Sequence, residues 1–239
     1  MDNFSYIGLS RQIALRNLME VTANNIANMS TPGFKSQNVL FREHLNKGTA
    51  STKFSQVEQV RTYRDMAAGT LMQTHNPLDV SIQGDGYFAV QTKDGGTKYT
   101  RAGSFSLNER GELITKNGDQ ILGDGGPLIV PAGSGEINIS AAGTISTKTG
   151  TIGKLKVVSF EDSSKIEPFG DNLFSAPEGQ EQPAADVQIV QGALENSNVQ
   201  PVLEMNKMIE ILRMYQSMQN MLNTDHELSR SMIQKLTKA

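Results

Sequence analysis

Three histidines, His44, His75 and His226, are the residues of this 239-residue sequence best suited to hold a metal ion, and their spacing argues against it. A helical zinc site sets two histidines four residues apart, often as H-E-x-x-H, because that spacing puts both imidazoles on one face. No pair here has it, and the absence of cysteine removes any thiolate alternative. Asp79, Asp85, Asp94, Asp119 and Asp124 could be imagined as a carboxylate cluster. Four of the five adjoin a glycine, where turns favour Asp because its side chain bonds to nearby backbone. Gly84-Asp85-Gly86 and Gly123-Asp124-Gly125-Gly126 look superficially like phosphate cradles. Neither follows G-x-G-x-x-G or the P-loop spacing, and neither opens a helical pattern. No serine sits in a G-x-S-x-G elbow. The expectation is a chain with no catalytic residue, no cofactor and no metal.

Composition narrows the partners. The formal net charge is -3 and the isoelectric point about 5.7, with Lys and Arg scattered, so neither a nucleic-acid surface nor an anionic-membrane patch is expected. The opening MDNFSYIGLSRQIALRNL lacks the basic start, apolar run and cleavage site of a Sec signal. No stretch approaches the roughly 18 apolar residues of a membrane span. Without cysteine, an oxidising or a reducing compartment is equally possible.

The elements that would carry any site are segregated. From Phe4 to Met29, Ile7, Ala14, Leu15, Leu18, Val21, Ile26 and Ala27 recur mostly at spacings of three, four and seven, with Arg11, Arg16 and Glu20 among them. That is an amphipathic helix of about 40 Å, which Thr31-Pro32-Gly33 ends because proline drives its predecessor out of the α region. A longer period runs from Val202 through Met232, apolar over a wide arc and carrying six of the eleven methionines. Pro201 suits its first turn and Asn198 is a plausible cap. Methionine at helical spacing is usually core packing, and only sometimes a binding face.

Between the helices lies β territory. Tyr87-Phe88-Ala89-Val90-Gln91 and Thr97 to Thr100 form a hairpin signal around Asp94-Gly95-Gly96, and turns recur at Asn117-Gly118 and Ala142-Gly143. Leu155 to Phe160 is the strongest single strand, while Leu45 to Ala68 reads as a polar connector. The predicted class is α+β: long N- and C-terminal helices forming a coiled-coil-like layer (1–36 and 198–239), an extended linker (37–75), and an all-β domain of short antiparallel strands (76–197).

Three stretches, in order and spanning almost the whole chain, carry a family resemblance: ANNIANMSTPGFKSQ, then NPLDVSIQGDGYFAVQ with YTRAGSFSLNERGELITKNG, then GALENSNVQPVLEMNKMIEILRMYQSMQNML. They resemble the axial rod and hook proteins of the bacterial flagellum, the proximal-rod members most and the distal-rod members second. The resemblance implies a non-enzymatic subunit, exported through the flagellar type III apparatus without a Sec signal. It would self-assemble with other rod subunits into the drive shaft of the basal body, spanning the periplasm and transmitting torque for motility. A secreted, non-enzymatic binding module is the rival from another class. Two long terminal helical stripes argue for the rod, since a binding module needs neither.

The residues expected at an assembly interface are Leu18, Asn24, Asn25, Asn28, Gly33, Phe34, Asn198, Met208, Leu212, Tyr215, Met218 and Leu222. Asn24, Asn25 and Asn28 share a helix face near its end, where neutral amides can bond to backbone or to a neighbour. They either fray the helix before Pro32-Gly33 or set its register, with Phe34 pinning the outgoing chain. On either reading, this stretch is expected to be a joint between the helices and the β domain.

Overall fold

The computed structural model describes residues 2–47, 53–161, 166–177, 179–184 and 187–236, with side chains except at 2–6, 43–47, 53–60, 229 and 236. The chain divides into two compact units. One takes the N-terminal residues to 29, then 36–65, then 199 onward; the other takes 30–35 and 66–198.

The first unit is built on helix α1, Asp2–Ala27, strands β1, Gln37–Lys47, and β2, Lys53–Arg64, and helix α2, Pro201–Leu236. The helices run antiparallel. Gly8 lies against Leu222, Gln12 Nε2 donates to Gln219 Oε1 at 2.6 Å, and Asn25 Nδ2 reaches Glu204 Oε2 at 3.3 Å. Pro201 opens α2, where its missing N–H has no helical partner to lose. The first intrahelical bond runs from the Glu204 N–H to the Gln200 carbonyl, so Gln200 rather than Asn198 occupies the cap. The Asn198 amide instead donates to the Ala67 carbonyl at 3.1 Å.

The expected coiled-coil-like layer is not what forms, and this corrects the predicted fold class. Among the described residues there is one antiparallel helix pair, and the contacts across it include Gly8 against Leu222 and the polar pairs Gln12–Gln219 and Asn25–Glu204. A β-hairpin packs on α1, occupying space that another helix would need. Helix α1 has 26 residues against 36 in α2, so one narrow face cannot cover the wide apolar arc of α2. Ile211 is 1% exposed, whereas its neighbour Leu212 is 40% exposed and Val202, Leu203, Ile209 and Ile233 more so.

The hairpin lies within the segment read as an extended linker. Strands β1 and β2 pair antiparallel from Gln37↔Arg64 to Lys47↔Lys53, with a register shift at Leu40/Phe41; the centre of the segment, 48–52, lies outside the described residues.

The second unit is a set of short antiparallel strands around Tyr87–Gln91. That strand pairs with Thr97–Thr100, with Gln120–Gly123 and with Val157–Phe160. Because side chains alternate across a strand, Phe88 and Val90 enter one core with Val80, Leu113, Ile121 and Ile145. Tyr87 and Ala89 enter a second with Tyr99, Val158 and Phe174. Both faces are therefore covered, which is why the run YFAV is apolar throughout. Each fully buried large side chain contributes about 1.5–3 kcal/mol. At the rim, Ala193–Glu195 pairs with Leu71–Gln73 and Gln188–Gln191 with Val80–Gln83.

Candidate functional site

Within the helical unit, the asparagine-rich end of α1 is organised around Asn25, which is fully buried. Its carboxamide donates from Nδ2 to the Gln37 carbonyl at 2.8 Å and accepts at Oδ1 from the Gln37 N–H at 2.8 Å. One neutral side chain thus satisfies both backbone groups of the residue that opens β1. An amide can do this because it carries donor and acceptor together. The third contact, to Glu204, brings in the first turn of α2. Asn28 turns back and donates from Nδ2 to the Asn24 carbonyl at 2.9 Å, satisfying one of the acceptors that a helix end leaves open. Asn24 is exposed.

Within the β unit, residues 30–35 form a short strap without strand pairing of its own. Gly33 has φ +69°, and a Cβ there would lie 2.6 Å from both the Ala102 nitrogen and the Arg101 carbonyl carbon, so only glycine fits on both counts. Its N–H donates to the Glu195 carbonyl at 2.7 Å, and Phe34 is buried beside it. The Asn172 amide holds the Pro32 carbonyl at 2.9 Å.

The strap ends on Lys35, whose ammonium is inside the protein. Lys35, Arg101 and Glu195 are 2%, 6% and 3% exposed. Glu195 Oε1 accepts from Lys35 Nζ at 2.7 Å and from the Gly69 N–H at 2.9 Å, and Oε2 accepts from Arg101 Nε at 2.9 Å. Lys35 Nζ also donates to the Ala67 carbonyl at 2.8 Å, and Arg101 reaches the carbonyls of Gly86 and Gly84 at 2.6 Å each. Burial alone would push the Glu195 carboxyl up. The Lys35 hydrogen bond, the Arg101 charge and the Gly69 N–H outweigh it and hold the group below the ordinary carboxylate range. Burial pushes the nearby Tyr87 hydroxyl up to about 12, against the pull of Arg101.

The Glu195 carboxylate is engaged by Lys35, Arg101 and the Gly69 N–H, an arrangement that orders backbone. A second polar set is similar: Glu181 accepts from Lys156 Nζ at 3.0 Å and from the Tyr99 hydroxyl. Among the described residues no group of His, Asp and Glu is placed to hold a metal ion, and no helix is long and apolar enough to cross a membrane.

Comparison with known proteins agrees from end to end. Residues 6–35 match the family model described as flagella basal body rod protein, 81–147 that of the flagellar hook protein FlgE/F/G D1 domain, and 190–235 that of the flagellar basal body rod FlgEFG protein C-terminal. The flagellar basal-body rod protein FlgF of Caulobacter vibrioides is 39% identical over 250 residues, covering 100% of this chain and 99% of that protein. The chain belongs to the flagellar basal-body rod protein family. FlgF of Salmonella typhimurium is 36% identical over 231 residues, covering 90% of this chain and 91% of its own. FlgG of Buchnera aphidicola (strain APS) is 32% identical over 248 residues, covering 92% and 93%.

In this rod-family chain each matched segment supplies one member of the buried triad: Lys35 closes the first, Arg101 lies in the second and Glu195 in the third. The sequence reading singled out none of the three. Their signal was present, since each sits within a stretch that carried the resemblance, as TPGFK, YTRAG and ALEN. A charge flanked by glycine or apolar residues in such a stretch is a candidate for burial. The residues expected at an interface fall into distinct groups. Leu18, Met208, Tyr215, Met218 and Leu222 are half-buried in the helical unit, and Leu212 is exposed there. Gly33, Phe34 and Asn198 belong to the β unit, and Asn25 serves α1 and β1 of its own chain.

Proposed function

We propose that this chain is a non-enzymatic structural subunit of the flagellar basal-body rod, placed in its proximal part, and that it acts by packing against copies of itself and against other rod subunits. The end-to-end similarity to proteins named FlgF carries the reading. The broad apolar arc of α2 supports it, because Val202, Leu203, Ile209, Leu212, Met221 and Ile233 leave more hydrocarbon facing water than an isolated helix pair would retain. Heterologous contacts repeated along a helical tube transmit torque without any moving part inside the subunit. Export through the type III apparatus, with the rod crossing the periplasm, belongs to the same reading. The turn from helix to strap at Asn24 to Phe34 is then a joint with a mechanical role.

The similarity to FlgG favours the distal rod as a second reading. Deleting the gene in its host and locating the labelled protein in isolated basal bodies separates the two. Label at the cell-proximal end of the rod is expected; label near the hook supports the second reading. A motile deletion strain with normal basal bodies would sink both.

A further inference from the structure

An antiparallel strand at the rim of a sheet turns the N–H and C=O of every second residue outward. In the β unit, Leu71–Gln73 pairs along one side with Ala193–Glu195, and Met72 stands opposite Leu194. Bonds just beyond this ladder fix which groups face which way. The Asn196 N–H donates to the Thr70 carbonyl and the Thr74 N–H to the Gly192 carbonyl, each at 2.8 Å. Thr70, Met72 and Thr74 therefore turn their backbone groups inward, and Leu71 and Gln73 turn theirs outward. Among the described residues, no strand pairs with that outer side. All three residues of the strand are exposed, Leu71 and Met72 at 44% each. From Thr70 to Thr74 there is no proline and no charged side chain, the devices that commonly blunt an open edge. Two other outlying strands carry both: Glu167–Gly170 contains Glu167 and Pro168, and Glu181–Pro183 contains Glu181 and Pro183.

We propose that this edge pairs with the same edge of a second copy of the chain, antiparallel about a two-fold axis through Met72. The register follows from the outward groups. Leu71 exchanges both backbone bonds with Gln73 of the second copy, Gln73 does so with its Leu71, and the two Met72 side chains meet in a non-hydrogen-bonded pair. An uncharged segment suits a copy of itself, because self-pairing then brings no like charges face to face. With three residues a side the contact is small, so the dimer is weak and fills only at high chain concentration. A two-fold contact closes on itself and does not propagate along a tube, so the pair is a state of the unassembled subunit. The geometry lies wholly within the β unit and stands whichever rod position the subunit takes.

Amide hydrogen exchange of the full wild-type chain, read at about 10 μM and about 1 mM, tests this directly. The outward amides of Leu71 and Gln73 should slow by about fivefold or more at the higher concentration. The Met72 amide, already turned toward Leu194, should stay within about twofold. Equal rates at both concentrations, or equal slowing of all three amides, overturns the proposal. Because the chain has no cysteine, single replacements then report the register. Met72→Cys places two thiols across the two-fold at a Cα separation of about 4.5 Å, within reach of a disulfide. Gln73→Cys places them more than about 7 Å apart, beyond it. Under mild oxidation Met72→Cys should form covalent dimer at least about ten times faster than Gln73→Cys. Equal rates would mean association without this register, as through the exposed arc of α2, and overturn the proposal. Adding Leu71→Lys to Met72→Cys should slow covalent dimer formation by about tenfold, since a charge blunts an open edge. No slowing in that variant overturns it as well.

Discussion

The β unit and the helical unit treat apolar surface in opposite ways. In the first, the strand Tyr87–Gln91 sends Phe88 and Val90 to one core and Tyr87 and Ala89 to another, and all four are buried within a single chain. In the second, α2 buries Ile211 and leaves Leu212, Ile209 and Val202 in water. The polar groups differ correspondingly. The β unit commits the charges of Lys35, Arg101 and Glu195 to its interior, satisfied by each other and by backbone, whereas the helical unit buries the neutral amide of Asn25. One unit covers its central strand on both faces; the other leaves much of the apolar arc of α2 exposed.

The sharpest way to break that contrast is to damage the β unit from inside. Glu195→Gln is nearly isosteric but leaves Lys35 and Arg101 buried without their counter-charge, so the β unit should lose about 3–5 kcal/mol. Chemical denaturation followed by tyrosine fluorescence checks this. A loss below about 1 kcal/mol would mean that backbone carbonyls alone satisfy both cations.

The same carboxylate sets the acid limb. Its folded pKa is depressed, so the unfolded chain takes up the proton first. The stability that Glu195 contributes is therefore fully present above its unfolded value of about 4.3 and is lost as pH falls from there through the folded value. Glu181 works in the same direction: burial pushes it up, and the Tyr99 hydroxyl and Lys156 bring it below the ordinary range. The limb should flatten in Glu195→Gln when unfolding is measured between about pH 5 and pH 2. An unaltered acid limb in that variant would assign the acid sensitivity to other carboxylates.

In the helical unit the matching internal change is Asn25→Ala. It strands the N–H and carbonyl of Gln37, so a loss of about 1–3 kcal/mol is expected, with faster exchange at the Gln37 amide. A variant as stable as the parent would return the asparagines to the reading in which they only weaken the helix end.

Much of this contrast was legible before any coordinates. Period-3.6 stripes revealed both helices, and Asp94-Gly95-Gly96 between alternating runs revealed the central hairpin, because each is a local pattern. What failed was non-local. The hairpin β1–β2 carries polar residues such as Gln37, Asn38 and Arg42 in a segment with no clean alternation, and it packs on α1. The helix pair in place of a coiled-coil-like layer goes with a β-hairpin packed on α1, which a count of apolar residues in the helices does not weigh. Lys35, Arg101 and Glu195 are 66 and 94 residues apart along the chain, so nothing in their spacing shows that they meet. Asn25 was singled out for its chemistry, but the partner it takes, the backbone of Gln37, is visible only in the fold.

The smallest expected effect is the most informative about the exposed arc. Leu212 is 40% exposed and sits beside Ile211, which is 1% exposed, so the two positions sample the uncovered and covered sides of one helix. Leu212→Ala removes hydrocarbon that already faces water and should change the stability of the isolated chain by no more than about 0.5 kcal/mol. Ile211→Ala empties a packed position and should cost about 2–5 kcal/mol. If the exposed arc is used in assembly, the order reverses in the assembled state: Leu212→Ala should lower incorporation into basal bodies while the isolated chain unfolds normally. Normal incorporation of Leu212→Ala, together with similar behaviour of changes at Val202 and Ile209, would show that the arc packs against nothing. The contrast between a closed β unit and an open helical one would then have no bearing on how the rod is built.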